Sequence, residues 1–272
     1  MTTQANCKIN IGLDILSRCE DGFHDLSTVM YPIKGLYDEV RVTPLESYDI
    51  EFASEGIAID CPSEDNLCVR AAKAMQLRFF TPGVRITLNK TIPFGAGLGG
   101  GSSDATAVIT AMNKLFDLRL SPAELVTIAA TLGSDTAFFV HNSPQLCCGR
   151  GEIMTPIKLD LSPYHIVLVK PEVGISTAQA YGGVTPAAPS TPLAELIARP
   201  IEEWQEHIKN DFEPHIFEAY PILERIKSEL LECGALYASM SGSGSTIYGI
   251  FSEVKQLSGR KFGGYDPYIF KL

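Results

Sequence analysis

The residues with the clearest chemical meaning form a glycine- and serine-rich loop from Pro93 to Ser103, directly before an apolar helical pattern. Glycine has no Cβ, so it leaves backbone N–H groups uncovered and lets several of them converge on one anion. The helix that follows directs its positive end, about half an elementary charge, at the same point. The sequence therefore predicts a phosphate cradle, for which a nucleoside triphosphate is the natural ligand.

Other interpretations of this loop are weaker. A flexible linker would lack the strand before the loop and the helix after it. Gly95, Gly97 and Gly100 match the spacing of a dinucleotide fingerprint, but Asp117, near the expected acidic position, ends a helix and not a strand. The Gly-Lys-Ser or Gly-Lys-Thr ending of an ATP-type P-loop is absent. A serine hydrolase is also disfavoured, because no Gly-x-Ser-x-Gly elbow lies between a strand and a helix.

The bulk composition restricts the possible function classes. The chain has 272 residues, of which 45% are hydrophobic, and this length favours two modest domains. Its net charge of −10 and the lack of Lys/Arg runs argue against binding to nucleic acid or to an anionic membrane. No apolar run approaches the roughly 20 residues of a membrane-spanning helix, and the N-terminal residues match no targeting pattern. We therefore expect a cytoplasmic protein.

The cysteines indicate a reducing environment. The chain has seven of them, an odd number, without any Cys-x-x-Cys pair. This pattern is typical of reduced thiols in a cytosolic protein, and the scarcity of histidine disfavours a structural zinc site. We interpret the adjacent Cys147 and Cys148 as buried packing residues and not as a redox pair.

The elements that must position the loop are strands and helices in mixed order. Alternating apolar residues, such as Ile9, Ile11 and Leu13, predict half-buried strands before the loop. Asp65-Asn66 predicts the N-cap of a helix from about Leu67 to Phe80. After the loop, apolar residues recur at helical spacing, and Ser102-Ser103 supplies candidate N-cap hydroxyls.

The rest of the chain continues this mixture. A capping box with Pro at N1, Ser121 to Glu124, predicts a helix that runs to Gly133. The mixture of strands and helices predicts an α+β fold. Prolines interrupt the sequence pattern from Met154 to Pro163, which predicts a domain boundary there and domains at residues 1–158 and 159–272. In the second domain we predict the following elements: a strand from His165 to Lys170, a surface loop from Thr185 to Pro192, a helix from Pro221 to Cys233, and a glycine-rich turn before a strand from Thr246 to Phe251.

Further residues could take part in phosphoryl transfer. This reaction needs a cation facing the migrating group and a carboxylate that takes the proton of the acceptor hydroxyl. The candidates are Lys8, close to Asn10 in the first strand, and Asp135, after Gly133-Ser134. From the residues alone, a packed lysine explains Lys8 better, and a helix N-cap explains Asp135 better. His24 follows a sequence typical of a turn, and it is either a solvated residue of a hairpin or part of a loop that recognises a ligand.

Together these residues resemble the GHMP kinases, which carry a Pro-x-Gly-x-Gly-Leu-Gly-(Gly/Ser)-Ser-Ser loop in place of a P-loop. Pro93 to Ser103 matches this loop throughout. Shorter motifs extend the resemblance over essentially the whole chain: Lys8-Ile9-Asn10, Asp21-Gly22-Phe23-His24, Gly133 to Phe139, Gly149-Arg150-Gly151-Glu152 and the Ser-Gly-Ser-Gly turn near Gly242. Within the family, these motifs are similar to those of kinases that phosphorylate a cytidyl diphosphate sugar alcohol in the non-mevalonate, or methylerythritol phosphate, route of isoprenoid biosynthesis.

The resemblance implies ATP-dependent phosphoryl transfer to an alcohol, in the two-domain α+β GHMP kinase fold with the active site in the interdomain cleft. It implies that Asp135 is the catalytic base toward the 2-hydroxyl of the erythritol. Lys8 would favour the charged carboxylate and neutralise the migrating group. The implied cofactors are ATP and Mg²⁺, the ion being touched by Ser102 or Ser103 and otherwise held by water. The partners are then small molecules, and the chain is a monomer or a weak homodimer.

The resemblance also implies two sets of binding residues. The contacts to the cytidyl substrate are Asn10, Phe23, His24, Thr177 and Tyr181. The contacts to the nucleotide are Asn66, Lys90, Pro93, Gly95, Ala96, Gly97, Leu98, Gly99, Gly100, Gly101, Ser102 and Ser103.

Some positions depart from the family pattern. Phe23 replaces a tyrosine, which keeps stacking on a base but loses any contact through a phenol oxygen. The proline after Asp-x is missing, since Thr136-Ala137 follows Asp135, and we expect only a local backbone change. The residues around Thr177 also lack the family's proline-rich form.

Two alternatives remain beside this interpretation. The first is another GHMP kinase that acts on homoserine, mevalonate or a sugar. Such an acceptor has no base, so Phe23, His24 and Tyr181 would have no aromatic group to bind. The second is a nucleotide-binding regulator without catalysis, which the presence of both Lys8 and Asp135 disfavours.

Overall fold

The computed structural model describes residues 1–59 and 61–272 and confirms the predicted α+β class. The chain packs into two compact units, neither of which is continuous in sequence. The first unit contains Met1–Lys8, Leu36–Phe94 and Gly99–Ser143, and the second contains Ile9–Gly35, Gly95–Leu98 and Pro144–Leu272. Two long strands, β1 (Thr2–Arg18) and β2 (His24–Pro44), contribute residues to both units. The predicted boundary between residues 158 and 159 stays a prediction.

The strands of the first unit are β3 (Ile50–Gly56), β4 (Val84–Lys90), the first part of β1 and the second part of β2. β3 runs parallel to β4, and β4 pairs antiparallel with residues 39–44 of β2. The predicted alternation of β4 is confirmed, because Val84, Ile86 and Leu88 are buried and the residues between them are more exposed. The last residue of this strand, Lys90, is also buried.

The helices of the first unit are α1 (Leu67–Phe79), α2 (Gly100–Leu115), α3 (Pro122–Ala130) and the short α4 (Phe138–His141), with a 3₁₀ turn at Ser63–Asp65. Asn66 caps α1 as predicted, since its side chain accepts a hydrogen bond from the N–H of Cys68. The predicted capping box of Ser121 and Glu124 opens α3. Helix α2 packs against the other three helices and is the central helix of this unit.

The second unit has strands in two groups. Residues 26–30 of β2 pair antiparallel with β5 (Gln145–Gly149), which pairs with β6 (Ile153–Pro156). An antiparallel sheet contains β7 (His165–Val169), β8 (Tyr237–Met240), β9 (Ile247–Phe251) and β10 (Tyr268–Lys271), in the order β10-β7-β9-β8. β7 and β9 confirm the strands predicted from His165 and from Thr246.

The helices of the second unit are α5 (Thr177–Gly182), α6 (Leu193–Leu196), α7 (Trp204–His207), α8 (Glu213–Ala219) and α9 (Pro221–Glu232), with 3₁₀ turns at Ile201–Glu203 and Lys255–Leu257. The predicted helix from Pro221 is confirmed as α9, which lies on β8 and β9 and buries Leu223, Ile226 and Leu230. Gly234, with a left-handed φ of 92°, follows the end of α9.

The structure corrects several predictions. β1 is not half-buried, because every residue from Ala5 to Ile15 is buried and both of its faces are covered. Ser102 and Ser103 do not cap α2, since the helix begins earlier, with Gly99 at the N-cap position. The short strands β5, β6, β8 and β10 were not predicted. In the part of the chain that the structure describes, no helix has the length and apolar character needed to cross a bilayer.

Candidate active site

The second half of the glycine loop leads into α2 within the first unit. Gly99 has a left-handed φ of 68° and is followed directly by the helix from Gly100 to Leu115. The first turn of a helix leaves N–H groups without acceptors inside the helix, so the start of α2 presents donors and a positive dipole end. A Cβ on Gly101 would meet only Leu67 Cδ1, at 3.5 Å, so the first turn is uncrowded there. This geometry suits the binding of a phosphate group.

The first half of the glycine loop, Gly95–Leu98, belongs to the second unit. Gly95 and Gly97 have φ values of 60° and 74°, which other residues rarely adopt. A Cβ on Gly95 would meet nothing within 4 Å, whereas one on Gly97 would collide with the carbonyl oxygen of Ser241. The segment is therefore open at Gly95 and closely packed at Gly97.

The Ser-Gly-Ser-Gly turn holds this half of the loop. Ser241 Oγ donates a hydrogen bond to the carbonyl oxygen of Gly97 at 2.9 Å and accepts one from the N–H of Asn10 at 3.2 Å. The N–H of Thr246 donates to the carbonyl oxygen of Ala96 at 3.2 Å. In the sequence this turn is part of the family pattern, but nothing in the sequence indicates that it holds the glycine loop.

Lys8 and Asp135, the two predicted catalytic residues, form an ion pair in the first unit. Lys8 Nζ lies 3.1 Å from Asp135 Oδ2, and the lysine side chain is 3% exposed while the aspartate side chain is 30% exposed. A Cβ on Gly99 would lie 3.1 Å from Lys8 Cε, so the lysine stem passes directly beside the loop. The pair thus combines a buried cation with a carboxylate that reaches the solvent.

Asp135 lies in a turn before α4 and is not a helix cap. The N-cap of α4 is Ala137, which stands in place of the family proline. The N–H of Thr136 donates to the carbonyl oxygen of Gly133 at 3.2 Å, and the carbonyl oxygen of Thr136 accepts from Thr106 Oγ1 at 2.7 Å. These bonds tie the turn to α2 and leave the Asp135 carboxylate outside the capping interaction.

Lys90, a predicted nucleotide contact, is the centre of a buried group of charges that we call the Lys90 triad: Lys90, Asp38 and Asp104. Its ammonium binds the carboxylates of Asp38 and Asp104, the latter at 2.8 Å, and all three side chains are no more than 2% exposed. Burial lowers the pKa of Lys90, but the two carboxylates raise it more, so the net shift is upward. Burial, with a smaller contribution from Asp38, raises the pKa of Asp104 to about 7 against the opposing effect of Lys90.

The predicted substrate contacts lie in the second unit. The rings of His24 and Tyr181 stack with centroids 4.8 Å apart and an interplanar angle of 26°, and Tyr181 contacts Phe212 edge to face. Asn10 is buried, and its side chain donates to Thr28 Oγ1 at 3.1 Å. Thr177 is exposed as the first residue of α5, behind the N-cap Ser176. The structure thus brings His24 and Tyr181 together.

Phe23 packs against a cationic side chain from a distant part of the sequence. Phe23 is 55% exposed, and the guanidinium of Arg150 lies over its ring, 3.9 Å from the centroid. Arg150 also forms an ion pair with Asp21. The motif that contains Arg150 was noted in the sequence, but a cation over an aromatic ring depends on the strand pairing of β2 with β5 and leaves no local signal.

The residues that could hold a magnesium ion form no preassembled cage. Within the described ranges, no group of three or more His, Cys, Asp or Glu side chains could bind a metal. Mg²⁺ usually keeps several waters and binds through substrate phosphates, so a site of this kind needs few protein ligands. Ser102 is half-buried and Ser103 is buried, both in the first turn of α2.

Two family models match this chain. The model of the GHMP kinases N terminal domain matches residues 66–143, which include α1, the glycine loop, α2 and Asp135. The model of the GHMP kinases C terminal domain matches residues 193–258.

Individual kinases are also similar to this chain in sequence or structure. A 4-diphosphocytidyl-2-C-methyl-D-erythritol kinase from Parabacteroides distasonis is 45% identical over 248 residues, or 91% of this chain and 90% of the relative. The crystal structure of a 4-(cytidine 5'-diphospho)-2C-methyl-D-erythritol kinase has a TM-score of 0.78 at 32% identity, covering 92% of this chain and 90% of that one. A mevalonate kinase structure has a TM-score of 0.68 at 13% identity, covering 99% and 98%, which shows a shared fold alone.

Proposed function

Because this chain belongs to the 4-diphosphocytidyl-2-C-methyl-D-erythritol kinase family of the GHMP kinases, we propose that it transfers the γ-phosphoryl group of ATP to the 2-hydroxyl of 4-diphosphocytidyl-2-C-methyl-D-erythritol. This reaction belongs to the methylerythritol phosphate route of isoprenoid biosynthesis. The observation that carries the proposal is the ion pair of Lys8 and Asp135 beside Gly99, in a chain 45% identical to such a kinase.

The proposed chemistry assigns one step to each residue. The Asp135 carboxylate accepts the proton of the substrate hydroxyl as the hydroxyl oxygen bonds to the γ-phosphorus. The bond from that phosphorus to the bridging oxygen breaks, and ADP leaves. Lys8 neutralises charge on the migrating phosphoryl group. In a loose transition state most of the acceleration comes from positioning and charge stabilisation, and a general base contributes about 10² to 10⁴-fold.

Direct ATP contacts are proposed from Asn66, Pro93 and the loop from Gly95 to Ser103, supported by the left-handed glycines and the start of α2. Lys90 belongs to the same proposed binding region, but its side chain is 2% exposed and its ammonium is bound to two carboxylates. The Asn66 side-chain oxygen is engaged by the N–H of Cys68, so its second polar atom or its backbone is the proposed contact. A magnesium ion bound to the phosphates would neutralise their charge, and the hydroxyls of Ser102 or Ser103 could touch it.

Recognition of the cytidyl group is proposed to use Asn10, Phe23, His24, Thr177 and Tyr181. The stack of His24 on Tyr181 supports this assignment, because it presents an aromatic surface and an imidazole in one place. Aromatic rings stack on the face of a base, and the nitrogens of an imidazole can form hydrogen bonds with its polar edge.

The remaining assignments follow the family. We propose functional domains at residues 1–158 and 159–272, supported by family models that match on either side of that boundary. We further propose a cytoplasmic enzyme that acts as a monomer or a weak homodimer on small molecules.

One assay tests the proposed function. The purified chain is given ATP and Mg²⁺ with 4-diphosphocytidyl-2-C-methyl-D-erythritol, homoserine or mevalonate, and ADP release and product mass are measured. We expect ADP release and a product heavier by one phosphoryl group with the cytidyl substrate alone. Turnover of homoserine or mevalonate without turnover of the cytidyl compound would point to another GHMP kinase activity, and no turnover of any acceptor would favour a regulator.

His24→Ala tests recognition of the base. We expect KM for the cytidyl substrate to rise about tenfold, because the variant loses the binding free energy of one ring contact and one hydrogen bond. The kcat and the KM for ATP should be nearly unchanged. The matched control is His207→Ala, which removes an exposed histidine of the same unit at the end of α7. An unchanged KM in His24→Ala would remove His24 from the recognition set.

A further inference from the structure

We propose that the Lys90 triad positions the phosphate-binding start of α2 from the interior of the first unit, so that Lys90 is a positioning residue for ATP. This inference rests on the proposed function, because it assumes that α2 receives the triphosphate. It differs from the expectation that Lys90 touches the nucleotide itself, since the Lys90 side chain is 2% exposed and its ammonium is bound to two carboxylates.

The triad joins the strand before the glycine loop to the helix after it. Asp38, on β2, accepts hydrogen bonds at Oδ1 from the N–H groups of Thr91 and Ile92, at 2.6 and 2.8 Å. These two residues directly precede Pro93, where the loop begins. Its other oxygen binds Lys90 Nζ, and the same ammonium binds Asp104 on the second turn of α2. One lysine therefore ties both flanks of the loop to a single point.

Gly100 lets the ammonium approach the first turn of the helix. A Cβ on Gly100 would lie 2.9 Å from Lys90 Nζ and 2.9 Å from Ile92 Cγ2, too close for either contact. The glycine at this position therefore has a packing reason besides its place in a phosphate loop. It allows the cation to sit against the turn whose N–H groups are proposed to bind phosphate.

The chemical composition of the triad argues against a role in stability alone. Two carboxylates and one ammonium leave a net charge of −1 in a buried site when all are ionised, and buried ions are frequently less stabilising than apolar residues of similar volume. In addition, Asp104 Oδ1 is buried without a hydrogen-bond partner among the described residues. An arrangement this costly fixes geometry more than it adds to the free energy of unfolding.

The obvious variant, Lys90→Met, would leave two carboxylates facing each other in the interior, so the test uses Asp104→Asn. Asparagine keeps the shape and an acceptor for Lys90 and leaves the pair of Lys90 and Asp38 intact. Its hydrogen bond to the ammonium is roughly half as strong as that of a carboxylate, so we expect KM for ATP to rise about three- to tenfold. The kcat and KM for the cytidyl substrate should stay within about twofold of wild type.

A second measurement needs no catalysis. Amide hydrogen exchange of the nucleotide-free protein should be faster in Asp104→Asn at residues 101–104, with the amides of α1 unchanged. The matched control is Asn113→Ala, which removes the bonds of Asn113 to Leu120 at the opposite end of α2. This control should leave both KM for ATP and exchange at residues 101–104 as in wild type.

Failure of the positioning role and failure of the proposed kinase activity would give different results. Unchanged exchange and unchanged KM for ATP in a folded Asp104→Asn protein would overturn the positioning role. A parallel loss of kcat, of affinity for both substrates and of the thermal midpoint would also overturn it, since general destabilisation would then explain the result. If wild type releases no ADP with any acceptor, the proposed function fails, while hydrogen exchange still decides whether the triad orders α2.

Discussion

Two buried lysines of the first unit, Lys8 and Lys90, have nearly the same exposure but different carboxylate partners. The partner of Lys8, Asp135, has a side chain that is 30% exposed. The partners of Lys90, Asp38 and Asp104, are at most 2% exposed. The first arrangement leaves a carboxylate oxygen accessible to a substrate, and the second encloses all of the charge.

Burial of a lysine therefore does not by itself define its role. A lysine with an accessible carboxylate can take part in proton and phosphoryl transfer, since the carboxylate meets the incoming hydroxyl. A lysine enclosed by two carboxylates can only hold the elements that carry them. In the roles that we propose, the exposure of the carboxylate partner, and not that of the lysine, distinguishes the catalytic pair from the positioning triad.

Replacing the accessible carboxylate of Asp135 should have the strongest effect on turnover. Asp135→Asn keeps the size of the side chain but removes the base, so we expect kcat to fall about 10² to 10⁴-fold with KM for ATP nearly unchanged. Steady-state kinetics with the cytidyl substrate measure both constants. Full activity in this variant would show that Asp135 does not act as the base, so that an accessible carboxylate partner would not mark a catalytic lysine.

Exchanging each lysine for methionine compares the two sites directly. Lys8→Met should cut kcat about 10² to 10³-fold, because a charge that stabilises the transition state is lost. Its free energy of unfolding should change by about 1 kcal/mol or less, since water solvates the remaining Asp135. Lys90→Met should lower the free energy of unfolding by about 3 to 5 kcal/mol, because it strands two buried carboxylates.

Urea unfolding and steady-state kinetics of both methionine variants measure these effects, and each variant is the control for the other. Equal destabilisation by the two changes would mean that partner exposure does not distinguish the sites. A mild effect of Lys8→Met on kcat would mean that Lys8 only packs.

The parts of the fold that the sequence predicted correctly are those specified by local rules. The Asn66 cap, the capping box at Ser121 and the helix from Pro221 depend on residues within a few positions of one another, and all three are confirmed. The same kind of rule misplaced the start of α2. Serine is the better N-cap by preference, but the left-handed Gly99 begins the helix before either serine.

The Lys90 triad shows what the sequence could not reveal. Lys90 lies 52 residues from Asp38 and 14 from Asp104, and only the pairing of β2 with β4 and the packing of α2 bring them together. The ion pair of Lys8 and Asp135 was anticipated only through family resemblance, because the residues alone favoured a packed lysine and a helix cap. Long-range charge pairing leaves no periodic signal in the sequence.

At the enclosed site, the stability of the protein should depend modestly on pH. The pKa of Asp104 is about 7 in the folded protein, against an ordinary value of 3.8, so the folded state holds this proton more tightly than the unfolded state. The stability from that proton is fully present below pH 3.8 and is lost as the pH rises through about 7. Asp104→Asn removes the titration, so the variant should gain stability relative to wild type as the pH increases.

Urea unfolding of both proteins at about pH 5 and about pH 8 measures this gain, which should exceed about 1.4 kcal/mol, the equivalent of one pKa unit. The other groups around Asp104 should contribute little to the difference, since the pKa of Lys90 is raised and burial raises the pKa of the Cys68 thiol well above its usual value. Burial raises the pKa of Asp14 to about 6, but Asp14 titrates in both proteins, so its contribution to the difference in stability cancels. A pH-independent difference would mean that Asp104 stays charged throughout, and that the triad encloses a permanent net charge. A more stable variant with a higher KM for ATP would instead separate positioning from stability at this site.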